Sequence, residues 1–249
     1  MSPRGNSTGP LVSSVSINTP EGEGDSAYPF SIPAIRAIRT LKLHPRVTFF
    51  VGDNATGKST LLEAIAVAAR FNAEGGSRNF NFASRHSESD LHEHVVLAKQ
   101  RSWKTGYFLR AESFYNVATE VDALGGEILK AYGGRSLHEQ SHGESFLSLV
   151  LNRFGPNGFY ILDEPESALS FGGNLILLRR IFDLAQQGCQ FIIATHSPVL
   201  MAFPDSWIYE FSGSGVSRLN FEETDHFLTM QAFFADRDRF FKHLFADEP

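Results

Sequence analysis

The amino-acid sequence predicts an α/β fold: a mostly parallel sheet flanked by helices. Three observations predict it. Short apolar runs rich in β-branched and aromatic residues alternate with stretches of helical periodicity. The acids of YILDE emerge at the end of one such run, where ligands collect in open α/β sheets. A glycine-bearing loop, GDNATGKST (52–60), stands between an apolar run and a helical one. Alternation of this kind buries strands on both faces, which is the signature of parallel pairing.

Residues 1–27 are rich in Ser, Gly, Pro and Glu and read as a flexible tail, with a short strand suggested at LVSSVSI. One folded domain is expected over 28–249. RVTFFV (46–51) reads as a buried strand, and KSTLLEAIAVAAR (58–70) as a helix with Leu61, Leu62, Ile65, Ala66 and Ala69 on one face. The polar stretch 72–90 is too loop-like for a core element and long enough to be functional. GYFLRA (106–111) predicts a strand, ESFYNVATEVDAL (112–124) a helix, FLSLVLNRF (146–154) a short apolar helix and GFYILD (158–163) a buried strand. LILLRRIFDLAQQG (175–188) is a helix closed by Gly188, and CQFIIATH (189–196) the next strand. WIYEF (207–211) and VSRLNF (216–221) suggest a peripheral hairpin, and 224–245 a helical region.

Composition bounds the function. The 249 residues contain no run of 18 apolar residues and no basic start followed by an apolar stretch, so direct membrane insertion is not expected and the cytoplasm is the default location. A net charge of -6 gives no electrostatic case for an extended nucleic-acid footprint, although a local patch is compatible with it. The single cysteine, Cys189, excludes an internal disulfide and a multi-cysteine metal site, and reads as a buried small hydrophobe. The 23 phenylalanines suggest an aromatic core, any surplus covering an interface.

The loop 52–60 matches GxxxxGK[ST], which wraps a phosphate chain in backbone N–H groups. Gly52 and Gly57 allow close approach, and Asn54, Ala55, Thr56 and Thr60 complete the cradle. Lys58 reaches the β and γ oxygens, and the Ser59 hydroxyl faces Mg²⁺. A glycine turn before a helix would explain the same letters, but strand, loop and helix occur in the order that phosphate binding requires. In the second constellation Asp163 is placed to hold Mg²⁺ through water and Glu164 to polarise a water attacking the γ-phosphate of ATP. Asp-Glu-Pro at a strand end is also ordinary turn chemistry; the phosphate loop favours the functional reading.

With these motifs in this order the chain resembles the ATP-binding cassette (ABC) ATPases, a class of P-loop NTPases, as a compact member. QSHGESF (140–146) stands for the LSGGQ-like signature: Ser141 and Gly143 match, whereas Gln140, His142 and Glu144 differ. ESALS (166–170) stands at the family's D-loop with Ser170 replacing its usual aspartate, and His196 stands at the single histidine that contacts the γ-phosphate. The resemblance implies two nucleotides sandwiched between two chains, Ser141 and Gly143 of one closing over the γ-phosphate held by the other. Standing alone, the same residues read as a helix cap. Glu112 is the candidate at the glutamine-loop position, as a metal ligand or a helix-start acid. Tyr28 or Phe30 would stack the adenine or belong to the core, and the 75–82 segment with Arg85 would approach nucleotide or partner.

The segment from Glu112 to Ser141 is shorter than the helical subdomain of transporter ATPases, and there is no long heptad insert of the chromosome-maintenance type. The resemblance therefore implies a reduced helical subdomain, as in small soluble ATPases often labelled AAA-family ATPases. It implies Mg²⁺-dependent ATP hydrolysis coupled to ATP-driven homodimer closure. The alternative is an ATP-gated clamp for DNA or a partner protein with little turnover; the residues do not choose between DNA and protein as effector.

Overall fold

A computed structural model of the chain describes residues 9–19, 27–73, 75–76, 89–130 and 132–246. The first elements are β1 (Val12–Ile17), α1 (Pro33–Ala37), β2 (Thr40–Lys42), β3 (Val47–Val51), α2 (Lys58–Ala68), α3 (Leu91–His94), β4 (Val95–Lys99) and β5 (Thr105–Arg110). The central ones are α4 (Phe114–Leu124), α5 (Gly126–Lys130), α6 (His142–Arg153), β6 (Gly158–Asp163), α7 (Phe171–Gln186) and β7 (Gln190–Ala194). The chain ends in α8 (Pro198–Met201), β8 (Trp207–Ser212), β9 (Gly215–Leu219), α9 (Asp225–Ala235) and α10 (Arg237–Leu244).

The apolar runs pair into a sheet of order β5-β6-β7-β3-β8-β9, parallel through β8, with β9 antiparallel at its edge. Every residue of β3, β6 and β7 is buried, as continuous rather than alternating apolar strands require. Because these strands are parallel, their C-terminal ends reach the same edge of the sheet, and the phosphate loop and the Asp-Glu pair meet there. The predicted α/β fold, a mainly parallel sheet flanked by helices, is the one observed.

Two cores cover the sheet. On one face α1, α2 and a three-stranded antiparallel sheet of order β2-β1-β4 enclose Leu61, Leu62, Ile65, Phe50, Phe159 and Phe211. On the other, α4, α6 and α7 bring Phe146, Leu149, Leu177 and Ile181 against Phe49, Tyr160 and Phe191. Burial of a large apolar side chain of this kind contributes roughly 2–3 kcal/mol. All five residues expected on the inner face of α2 are buried. Cys189 is also buried; its sulfur accepts from Gly158 N at 3.3 Å and donates to Gly155 O at 3.2 Å.

The short strand suggested at LVSSVSI, within the stretch 1–27 otherwise read as a flexible tail, is observed as Val12–Ile17 and is packed into the fold. That segment is the middle strand of the antiparallel sheet, with Val12, Val15 and Ile17 buried. Gln190 of β7 fixes it to the main sheet: its amide accepts from Val12 N at 2.8 Å and donates to Val12 O at 2.8 Å and His44 O at 2.9 Å. The three polar contacts satisfy a side chain with no exposure. The expected hairpin is present, but β8 is no peripheral strand, since it extends the parallel sheet beside β3. Between Glu112 and Ser141 the helical segment is reduced to α4, α5 and a 3₁₀ turn at Leu137–Glu139.

Candidate functional site

The loop between β3 and α2 is shaped by residues that tolerate its backbone. Gly52 has φ 126°, and a Cβ there would lie 2.1 Å from Phe211 O, so only glycine fits without moving β8. Gly57, at φ 99°, precedes α2, and its Cβ would press on Ile32 and Ile35 at 3.0 and 3.1 Å. Thr56 Oγ1 donates to Asp53 O at 2.7 Å, while Asn54 and Ala55 form the exposed crest. Lys58 is buried, and its ammonium donates to Gly52 O and Asp53 O at 2.7 Å each, drawing the loop round itself. Burial lowers its pKa, opposed by Glu164 and Asp163.

At the end of β6, Asp163 is 6% exposed and accepts a 3.0 Å hydrogen bond from Ser59 Oγ in the first turn of α2. Burial pushes its pKa up to about 6, against the opposing pull of Arg110 and Ser59. Two oxygens from separate elements thus face one cleft of about 310 Å³, lined also by Arg110, Glu112, His142, Glu164 and Ser167. Oxygen donors suit Mg²⁺. Among the described residues no group of three or more His, Cys, Asp or Glu could hold a metal by itself. Ser59 Oγ and Asp163 Oδ1 are oxygens of this cleft that could hold a divalent ion.

Glu164 adopts φ 49° and ψ 51°, a left-handed conformation uncommon for a residue with a Cβ. Its N–H donates to Ala194 O at 3.0 Å, which ties it to the end of β7. From that end His196 places Nε2 3.6 Å from Glu164 Oε1. Nε2 is shielded yet makes no hydrogen bond, and Oε2 of Glu166 is in the same state. The other Glu166 oxygen accepts from His196 N at 2.5 Å, so the turn after β6 holds the turn after β7. Lys58, Ser59, Asp163, Glu164 and His196 are thereby brought to one edge of the sheet.

The signature candidate has the geometry of a capping box. Ser141 is exposed at the start of α6, its Oγ accepts from Glu144 N at 3.3 Å, and Glu144 Oε2 accepts from Ser141 N at 3.0 Å and Oγ at 2.7 Å. These bonds hold the Glu144 pKa below its ordinary value. A Cβ on Gly143 would approach Ala168 O at 3.2 Å. His142 reaches the cleft and packs edge-on against Phe114. Ser170 is the N-cap of α7, accepting from Gly173 N at 3.1 Å.

Glu112 sits at the cleft rim, its side chain 90% exposed and 3.9 Å from Arg110. Nearest Asp163 from that strand is Arg110, with Nε 3.6 Å from Oδ2 and another nitrogen 2.8 Å from Glu63. Arg110 was not among the sequence candidates. Its position follows from the pairing of β5 with β6, which sets Arg110 opposite Asp163. Of the two aromatic candidates, Phe30 is in the core, whereas Tyr28 is 65% exposed with its hydroxyl 3.4 Å from Thr60 Oγ1. Arg85 and residues 77–82 lie outside the described residues. Among the described residues no helix is long and apolar enough to cross a membrane.

Comparison with known proteins bears on this arrangement. The family described as "AAA domain, putative AbiEii toxin, Type IV TA system" matches residues 47–114 and 107–202. An "uncharacterized ABC transporter ATP-binding protein" of Haemophilus influenzae is 37% identical over 70 residues, which span 28% of this chain and 27% of the relative's length. Solved structures similar to the chain include the SMC head domain from Thermotoga maritima, 15% identical with a TM-score of 0.45, covering 84% of this chain and 98% of that one. Another is a nucleotide-free ATP-binding cassette from an ABC transporter, 14% identical with a TM-score of 0.47, covering 91% and 96%.

Proposed function

The chain belongs to the AAA domain family whose description is given above, and we propose that it is an ABC-type ATPase whose site hydrolyses ATP with Mg²⁺ and closes by pairing with a second copy of the chain. The observation that carries this reading is the meeting of Lys58, the Ser59–Asp163 pair and the Glu164–His196 pair at the C-terminal edge of β3, β6 and β7.

Each residue has a task that its geometry suits. Gly52, Asn54, Ala55, Thr56, Gly57 and Thr60 present the loop backbone to the phosphates. Lys58 supplies a compact point charge to the β and γ oxygens, exchanging its two loop carbonyls for phosphate. Ser59 and Asp163 would hold Mg²⁺, with Glu112 as a more distant contributor at the rim. The bound ion would neutralise charge developing on the transferred phosphoryl group. Glu164 accepts a hydrogen bond from the attacking water, and His196, with its free Nε2, is supplied with an acceptor by the γ-phosphate.

Closure places exposed Ser141 and half-buried Gly143 against the γ-phosphate of the second copy. An anion arriving there meets the N-terminus of a 12-residue helix, and it competes with Glu144 for the Ser141 donors. Phe171 is 69% exposed just after the Ser170 cap, an apolar side chain on the surface that closure would cover. Residues 28–249 act as one unit in this scheme, joined by β1.

Purified protein with ATP and Mg²⁺ tests the reading. Phosphate release is expected from the natural chain, and Lys58→Ala should weaken ATP binding at least tenfold through loss of the β,γ-phosphate contact. Unchanged ATP affinity in Lys58→Ala would remove the phosphate-loop assignment.

A further inference from the structure

The tasks above leave the last two helices without a role, although they are joined to the site. Neither α9 nor α10 contains a buried residue, and Leu228, Met230, Phe234 and Leu244 are exposed. Phe233 packs against Phe234, Phe240 and Phe241, so the two helices cohere with each other more than with the sheet. Their fixed point is the first turn of α9. Thr224, its N-cap, has no exposure, donates to Phe221 O at 2.7 Å and accepts from Phe227 N at 3.3 Å.

Two residues beyond that cap, the His226 ring lies 6.0 Å centre to centre from the His196 ring. Burial lowers its pKa; the His196 and Lys58 charges act in the same direction, and Asp225 and Asp53 act against it. Glu210, near the end of β8, likewise feels Asp225 and Asp53. The first turn of α9 therefore lies next to His196 and within electrostatic reach of Asp53 and Lys58 of the phosphate loop.

At 3.6 Å from Glu164 Oε1, His196 Nε2 is in ion-pair range but beyond a normal hydrogen bond, so that contact holds the ring edge only loosely. The His226 ring packs beside it, 6.0 Å away centre to centre and tilted by 51°. A rotation of His196 toward a phosphate oxygen would change its contact with His226, and α9 has no buried residue resisting displacement. We propose that His226 is a positioning residue for His196, and that through it occupation of the γ-phosphate position is transmitted to the α9–α10 pair. The inference rests on the nucleotide-site reading above, and it assigns the C-terminal helices the task of reporting which nucleotide is bound.

The test uses full-length protein with saturating ATP or ADP and Mg²⁺. Hydrogen–deuterium exchange on Glu164→Gln should show slower exchange in residues 225–235 with ATP than with ADP, and His226→Ala in the same background should abolish that difference. In the otherwise natural chain, His226→Ala should lower kcat about tenfold while KM and ATP affinity stay within about twofold. His226→Gln, which keeps a planar polar group of similar reach, should recover part of the loss. Equal exchange with ATP and ADP in Glu164→Gln, or kcat unchanged by His226→Ala with ATP still bound, overturns the inference while leaving the hydrolytic site standing. Failure of the natural chain to bind ATP overturns both.

Discussion

Replacing Asp163 with asparagine is predicted to stabilise the nucleotide-free protein while removing its response to Mg²⁺ and ATP. Burial raises the Asp163 pKa from 3.8 to about 6, so the folded state holds the proton over a window in which the unfolded chain has released it. Stability therefore falls as pH rises from about 4 to about 6, and the deficit persists above it. A difference of that size corresponds to about 3 kcal/mol. That value already includes the opposing pull of Arg110 and Ser59; asparagine keeps the shape of a neutral acid without reproducing its every contact, so a gain of about 1–3 kcal/mol is expected at pH 7.5. For a chain of this size that raises the melting temperature by about 2–12 °C. At pH 3.5 and below the two proteins should melt together. Thermal melts of both proteins across pH, repeated with ATP and Mg²⁺, read this out. Destabilisation of Asp163→Asn at pH 7.5, equal to that at pH 3.5, would refute the reasoning, because the carboxylate would then be supporting the fold rather than straining it.

Gly52→Ala should cost about 2 kcal/mol or more and depress nucleotide binding, since its Cβ has nowhere to go but the Phe211 carbonyl; a melting temperature like that of the natural chain would speak against the loop geometry. In a Glu164→Gln background, ATP with Mg²⁺ should convert monomer to dimer where ADP does not, as followed by light scattering with size exclusion. Ser141→Arg should abolish that dimer with ATP affinity in the monomer unchanged, and dimerisation equal to the parent would return Ser141 to a capping role alone. Glu144→Gln should lower the ATP concentration needed for dimerisation by removing the carboxylate that competes for Ser141; a higher requirement would show that the cap itself is what closure needs.

Local chemistry was the legible part of the sequence. The phosphate loop, its flanking strand and helix, and the Asp-Glu strand end each lie within a few residues, so spacing alone places them. Partnerships across the sheet were not legible. The strand at LVSSVSI was legible, but its place inside the domain was not, because that depends on pairing with β2 and β4 and on Gln190, which are remote in sequence. Arg110 becomes a site residue through strand register, and His226 through the way one buried threonine lays α9 beside His196. Ser-x-x-Glu at 141–144 is a capping-box pattern readable from sequence, and Glu144 accepts from the same Ser141 donors that the proposed anion contact would use.

The central claim is that this cleft hydrolyses ATP through Glu164, and the measurement that meets it most directly is turnover and ATP affinity of Glu164→Gln beside the natural chain. Loss of the water-orienting carboxylate should lower steady-state phosphate release by about a hundredfold or more, while the phosphate loop, Ser59 and Asp163 keep ATP affinity within about threefold. Turnover in Glu164→Gln equal to that of the natural chain would contradict the account.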